Sequence, residues 1–257
     1  MTFSWGSLFR DNSFTGADRQ ANANQMTIAI SSRFLRQSDG VEKFVANLGQ
    51  IRYFDPPRVS TSAAVPAKRD QSLWVADATY AINDRWSLNG SYQWDPTDKR
   101  HYLASVNTRY LVGDDGVVNF GYRYRRNVLE QADVSFLYPI NASWSLVGRY
   151  YHSFYRNPGT GDEPGLLEGI AGVQWDSCCL AVRLVGRRYL RSRSGDMNNA
   201  IQLEIELKGL GSAGADTRSR LRRAILGYDR DDLYLIPPAS VSVDNDDTDD
   251  DFPDAPP

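Results

Sequence analysis

What most constrains this chain is a strict two-residue alternation of apolar and polar side chains, held over stretches longer than soluble strands usually reach. From Trp86 to Trp94 one set reads Trp86, Leu88, Gly90, Tyr92, Trp94 and the other Ser87, Asn89, Ser91, Gln93. Val118, Phe120, Tyr122 and Tyr124 likewise oppose Asn119, Gly121, Arg123 and Arg125, and Ile201, Leu203, Ile205 and Leu207 oppose Gln202, Glu204, Glu206 and Lys208. A helix scatters such sets around its circumference, whereas a strand sends them to opposite faces. The pattern predicts eleven strands, at 26–34, 43–54, 72–82, 86–94, 101–112, 117–126, 131–139, 144–154, 166–176, 179–190 and 199–208. Soluble strands run about 5–6 residues, and a tilted membrane-crossing strand needs about 9–11. Length and alternation together predict an all-β fold, an antiparallel transmembrane β-barrel.

The connectors point the same way. Asn83–Arg85, Gly113–Gly116, Ile140–Ser143 and Ser177-Cys178 are short; Asp95–Arg100, Tyr155–Gly165 and Arg191–Asn198 are longer, and Asp55–Asp70 is the longest. Outer-membrane barrels have short periplasmic turns and longer outer loops. Parity then puts the cysteine turn and the C-terminus on the periplasmic side and the residues before the first strand outside. Single-chain bacterial barrels have even strand numbers, and Met1–Trp5 offers neither a basic nor an apolar leader. The expectation is the C-terminal part of a large barrel, lacking N-terminal sequence. Residues 1–25 are read as an outer loop, 26–209 as barrel strands, 210–228 as a periplasmic segment and 229–257 as a disordered acidic tail.

A local repeat supports the hairpins. Tyr80 to Leu88 (Tyr-Ala-Ile-Asn-Asp-Arg-Trp-Ser-Leu) matches Tyr138 to Leu146 (Tyr-Pro-Ile-Asn-Ala-Ser-Trp-Ser-Leu). Tyr and Trp on either side of a turn suit the headgroup layer, where amphipathic rings are favoured.

Charge is split along the chain. The segment 229–257 holds ten aspartates and one arginine; without it the net charge of −3 becomes +6. On the polar faces lie Arg123, Arg125, Arg183 and Arg187, which in a barrel line the lumen, since a charge facing lipid costs about 2–4 kcal/mol near the midplane. Their forked guanidinium groups suit phosphate or carboxylate. They equally suit a ladder with Asp133, Glu168, Glu204 and Glu206.

Catalytic constellations are not evident. His101 and His152 both fall within strands, with no ligand or triad spacing around them. Asp162-Glu163 sits in a Gly/Pro-rich loop, and no Gly-rich phosphate loop opens a helix. No enzyme activity, cofactor, metal or nucleic-acid partner is expected. Cys178 and Cys179 are adjacent and the only two cysteines. Disulfide geometry disfavours a bond between neighbours. In an oxidising periplasm each seeks a distant partner on other sequence or another chain; two reduced thiols in a turn is the alternative.

Several stretches carry a resemblance: Leu8-Phe9-Arg10, Phe14 to Arg19 (Phe-Thr-Gly-Ala-Asp-Arg), Gly49 to Phe54 (Gly-Gln-Ile-Arg-Tyr-Phe), Gly121 to Arg126 (Gly-Tyr-Arg-Tyr-Arg-Arg), Asp176-Ser177-Cys178-Cys179 and Glu206 to Gly211 (Glu-Leu-Lys-Gly-Leu-Gly). In these the chain resembles the C-terminal half of the barrel in the lipopolysaccharide-assembly family LptD, over roughly residues 5–228. The resemblance implies an outer-membrane translocon for lipopolysaccharide with a plug lipoprotein, LptE, in its lumen. It implies delivery over an N-terminal jellyroll domain and the periplasmic lipopolysaccharide bridge, and sideways release between first and last strands. It implies that Cys178 and Cys179 form disulfides with that N-terminal domain. The last strand would form one gate side, with Asn199, Ile201, Leu203, Ile205 and Leu207 along it. The jellyroll and the acidic tail depart from the pattern, the first by its absence and the second by its presence. A passive porin-like channel and a soluble carbohydrate-binding β-sandwich are the rival readings.

Overall fold

The alternating segments become one antiparallel sheet in which every strand pairs with the next in sequence. A computed structural model of the chain describes residues 3–10, 24–55, 70–156, 163–191 and 196–229. Twelve strands form among them: β1 (Gln25–Leu35), β2 (Glu42–Tyr53), β3 (Trp74–Ala81), β4 (Trp86–Asp95), β5 (Arg100–Val112), β6 (Gly116–Arg125), β7 (Leu129–Pro139), β8 (Trp144–Ser153), β9 (Gly165–Asp176), β10 (Leu180–Leu190), β11 (Met197–Leu207) and β12 (Gly211–Gly214). A turn of 3₁₀ helix (Trp5–Ser7) precedes them and a helix, α1 (Thr217–Ala224), follows. The segments Phe14–Arg19 and Asp162, and the acidic tail beyond Asp229, lie outside the described residues.

The eleven expected strands are all present, within two residues at each end. The third begins at Trp74 instead of 72 because the Ser72 hydroxyl accepts the Ile51 N–H at 2.9 Å, where the ladder would offer a carbonyl. The twelfth strand is additional. It is four residues long and pairs only with Glu204–Leu207, too short to leave an alternation signature. The loop contrast is narrower than the sequence suggests. The connectors after β4 and β6, 96–99 and 126–128, are as tight as most on the opposite end; 191–196 is no longer than 36–41 on that end, and only 54–73 and 154–164 are clearly long.

Register fixes the two faces. Phe120 pairs with Thr108 and Val134, Val134 with Tyr150, Val173 with Leu146 and Leu184, and Leu184 with Leu203. These side chains form a continuous outer band, and most of its large members are exposed, among them Ile30, Leu88, Tyr110, Phe120, Tyr150, Leu184 and Ile201. A soluble sandwich would cover that band with a second sheet; the described residues form a single sheet, and the band is bare among them. Both copies of the local repeat close as Asn-led turns. Asn83 Oδ1 accepts from Arg85 N and Asn141 Oδ1 from Ser143 N and Trp144 N, each at 2.9 Å, the side-chain mimicry of a turn that asparagine favours.

The packed apolar core lies on the other, inner face. Val117, Leu137, Val147, Ile170 and Val185 on the wall enclose Leu221, Ile225 and Tyr228 from the C-terminal segment. The N-terminal turn uses the same face further along: Leu8 is buried against Gly49, where an added Cβ would lie 2.6 Å from Leu8 Cδ1, and its carbonyl accepts from Thr27 Oγ1 at 2.9 Å.

Candidate functional site

The inner face of β6–β11 carries a ladder of charges. Arg149, on β8, donates through Nε to Asp133 at 3.0 Å and through Nη1 to Glu168 at 2.9 Å. Arg187, on β10, donates through Nε to the other oxygen of Glu168 at 2.7 Å and lies over the Tyr189 ring at 4.2 Å. Period 2 puts all of these on one face, and the register brings them within reach. Arg149 was not singled out from sequence, although Arg149, Asp133 and Glu168 share the parity of Arg187.

Arg183 sits deeper, with only 4% of its side chain exposed. Its Nη1 donates to Glu206 at 2.7 Å and lies 3.6 Å from Glu204, while its Nε donates to the Tyr228 hydroxyl at 3.1 Å. That hydroxyl donates in turn to Gln174. Glu204 accepts the backbone N–H groups of Thr217 and Arg218 at 3.1 and 2.9 Å, where orphan donors and the helix dipole favour an anion. Asp216 caps the same end, accepting from Ser219 N at 3.3 Å. Asn119, on β6, donates to the Leu226 carbonyl at 2.9 Å. The segment after β12 is therefore clasped to the inner wall by apolar contacts and by polar bonds that reach β6, β9, β10 and β11. Burial pushes the Tyr228 hydroxyl up to about 12, so it is neutral at physiological pH. Sequence reading missed this clasp; its one local sign was Leu221, Ile225 and Tyr228 at helix-like spacing after a cluster of arginines.

The other two predicted arginines differ. Arg123 and Arg125 share the inner face of β6, but neither has a carboxylate partner among the described residues. Arg125 Nε is buried without a hydrogen-bond partner, and its guanidinium lies 6.0 Å from the Tyr102 ring centre.

Cys178 and Cys179 form the tip of the β9–β10 turn, exposed and unbonded, with sulfurs 3.0 Å apart. The hydrogen bond between them holds Cys178 below the usual thiol range and Cys179 above it, leaving Cys178 the readier thiolate. Lys208, at the end of β11, ties this turn down: its N–H donates to the Cys179 carbonyl at 2.9 Å and its Nζ to the Ser177 carbonyl at 2.6 Å, 3.3 Å from Asp176.

On β11 itself, Asn199, Ile201, Leu203, Ile205 and Leu207 all point outward and are exposed, Ile201 at 85%. Gln202 and Glu204 between them are buried on the inner face. β10 pairs with β11 along its full length, whereas β12 pairs only with Glu204–Leu207. The free side of Met197–Gln202 is thus an unpaired edge among the described residues.

His101 and His152 lie against aromatic rings in their strands, 5.2 Å from Tyr124 and 4.7 Å from Phe154. Among the described residues no three His, Cys, Asp or Glu side chains converge on a metal position.

A family model described as "LPS transport system D", LptD, matches residues 1–144. The chain belongs to the LptD family. It is 54% identical over 263 aligned positions to an LPS-assembly protein LptD of Xanthomonas campestris pv. campestris (strain 8004), covering 96% of this chain and 32% of that relative. With the LptD of Xanthomonas oryzae pv. oryzae (strain MAFF 311018) the identity is 55%, over 96% and 31% of the two chains. With that of Xylella fastidiosa (strain 9a5c) it is 53%, over 95% and 31%. The chain spans about a third of the length of the curated relatives it matches. LptD membership and the bare apolar band give one conclusion: these strands are a wall segment of an outer-membrane β-barrel.

Proposed function

We propose that this wall segment serves in assembling lipopolysaccharide into the outer leaflet, with lateral release beside its last strand. The observation that carries the reading is β11. Ile201, Leu203, Ile205 and Leu207 point outward, Gln202 and Glu204 face inward, and the Met197–Gln202 edge carries backbone groups with no described partner. An unpaired edge in hydrocarbon is costly, so it calls for a closing strand. A strand pair that opens there joins a polar interior to the bilayer, which is what an amphiphile with a large sugar part requires.

In this reading the first strand of the whole barrel closes on that edge, a plug lipoprotein of the LptE type occupies the lumen, and a periplasmic jellyroll domain receives lipid from the bridge. Cys178 and Cys179, exposed at the tip of a short turn, form disulfides with that domain. Lys208 joins the cysteine turn to the end of β11, so tethering the turn also orients the gate strand. The segment 210–228 belongs to the periplasmic end of the wall. The chain acts as a transporter wall and not as an enzyme.

The Arg149–Glu168–Arg187 ladder also suits a passive porin-like channel, whose water-filled lumen carries similar charges. A photoreactive side chain at Ile201 separates the readings in cells. A transporter yields lipopolysaccharide adducts at Ile201 and none at Trp86, far from the edge. Absence of adducts at Ile201, with delivery unaffected in a Cys178→Ser/Cys179→Ser variant, overturns the proposal.

A further inference from the structure

Two groups of inner-face arginines differ in their partners. Arg149, Arg183 and Arg187 each meet carboxylates. Arg109 on β5, Arg123 on β6 and Arg223 on α1 do not among the described residues; they line one recess of about 520 Å³ between the wall and the C-terminal helix. Arg109 Nε reaches only the neutral Asn119 side chain, at 3.3 Å, and Arg223 Nε only the Ser219 carbonyl, at 3.1 Å. Among the described residues one acid lines the recess, Asp133, and Arg149 already engages both its oxygens. Asn107 and Gln131 add amide donors without adding negative charge.

We propose that this recess is an anion-binding station, built for a phosphate group, free or borne on a glycolipid, that bridges Arg109, Arg123 and Arg223. Convergent cations repel one another, and folding the helix onto this wall brings Arg223 to two of them. The same wall neutralises Arg149, Arg183 and Arg187 with acids, so the sequence has ready means of doing so here and does not. Guanidinium groups offer forked donors that match phosphate oxygens, and the recess walls screen the charges less than open water does. The station deepens the transport reading, on which it depends only for the lipid-borne source: an amphiphile crossing a polar lumen needs a place where its anionic groups are held. It also redistributes the roles expected from sequence. Arg123 belongs to the station, Arg183 and Arg187 belong to the ladder, and Arg109 and Arg223 are new.

The test uses the protein extracted from its outer membrane together with its partners. Inorganic pyrophosphate binding is measured by calorimetry at about 0.01 M and about 0.15 M ionic strength, where screening differs. Binding is expected to weaken with salt, and about tenfold or more in Arg109→Gln/Arg123→Gln, the loss expected from removing charge-assisted bonds. Arg33→Gln, on the inner face of β1 and paired with Glu42 at 3.4 Å, is expected to leave it unchanged. Heat-modifiable electrophoretic mobility establishes that each variant is folded, and Arg223→Gln, outside the strands, gives a second measure if the double variant is not. A photoreactive side chain at Asn107 identifies the source in cells: a glycolipid adduct supports the lipid-borne form, and pyrophosphate binding without an adduct supports a station for free phosphate while counting against the transport reading alone. Equal binding by wild type and both variants overturns the station. So does binding that appears only after removal of residues beyond Asp229, because the chain's own aspartates would then be the occupant.

Discussion

The two sets of arginines on the inner face make an instructive comparison. On β8 and β10, Arg149, Arg183 and Arg187 are locked into acids contributed by β7, β9 and β11. On β5, β6 and α1, Arg109, Arg123 and Arg223 share a recess and lack such partners among the described residues. Arg109, Arg123, Arg149, Arg183 and Arg187 all lie on the inner face of their strands. What separates them is which acids the register leaves in reach. Glu204 lies directly across from Arg183, and Asp133 and Glu168 lie two residues along from the partners of Arg149 and Arg187. Arg109 and Arg123 instead face Ser87, Asn119, Ser105 and Gln131, and the nearby Asp133 is taken by Arg149. A charge neutralised in place stiffens a wall, whereas an unneutralised one waits for something else to neutralise it.

The largest effect that tests this contrast falls at Arg183. Arg183→Ala leaves Glu204 and Glu206 without their buried cation, and loss of one partner of a buried pair costs about 3–5 kcal/mol. Arg123→Ala, a surface change, is expected to cost less than about 0.5 kcal/mol. Denaturant unfolding of the detergent-solubilised barrel measures both, and equal costs would erase the distinction. Next in size, Leu184→Arg places a charge on the outer band and is expected to destabilise by about 2–4 kcal/mol if that band meets hydrocarbon. Insertion into vesicles tests this against inward-facing Ser145→Arg, for which little loss is expected.

A smaller effect comes from the clasp. Tyr228→Phe removes a hydroxyl that bonds Arg183 and Gln174, at a cost of about 1.5–3 kcal/mol for a bond to a charged group, and is expected to speed hydrogen exchange across 217–228. The Tyr228 acidity is raised in the folded state, so its contribution is complete below the ordinary tyrosine value near 10 and is lost as pH climbs through about 12. An alkaline titration of helix docking is expected to show that window in wild type and not in Tyr228→Phe. Smallest of all, Cys178 is expected to react with a maleimide ahead of Cys179 below the usual thiol range, as read by mass spectrometry, because only Cys178 is held low.

The sequence was informative where physics is local. Trp86, Leu88, Tyr92 and Trp94 face outward because a strand turns each residue over, and no partner is needed to know it. The Asn-led turns at Asn83 and Asn141 were legible for the same reason, since each closes through its own side chain. The family was legible in contiguous stretches such as Asp176–Cys179. β12 was not, because four residues of Gly, Ser and Ala carry no alternation.

What only the tertiary structure decided is who meets whom across the wall. Arg123 and Arg187 have the same parity and the same chemistry, yet one faces Gln131 and the other lies beside Glu168. That depends on the register between strands, which no single strand encodes. Tyr228 reaches Arg183, 45 residues away, and Arg223 reaches the recess, only because a helix folds back onto the inner face. Alternation along one strand is a property of the backbone and can be read in order. Neutralisation across the lumen is a property of distance between segments, and distance exists only once the chain has folded.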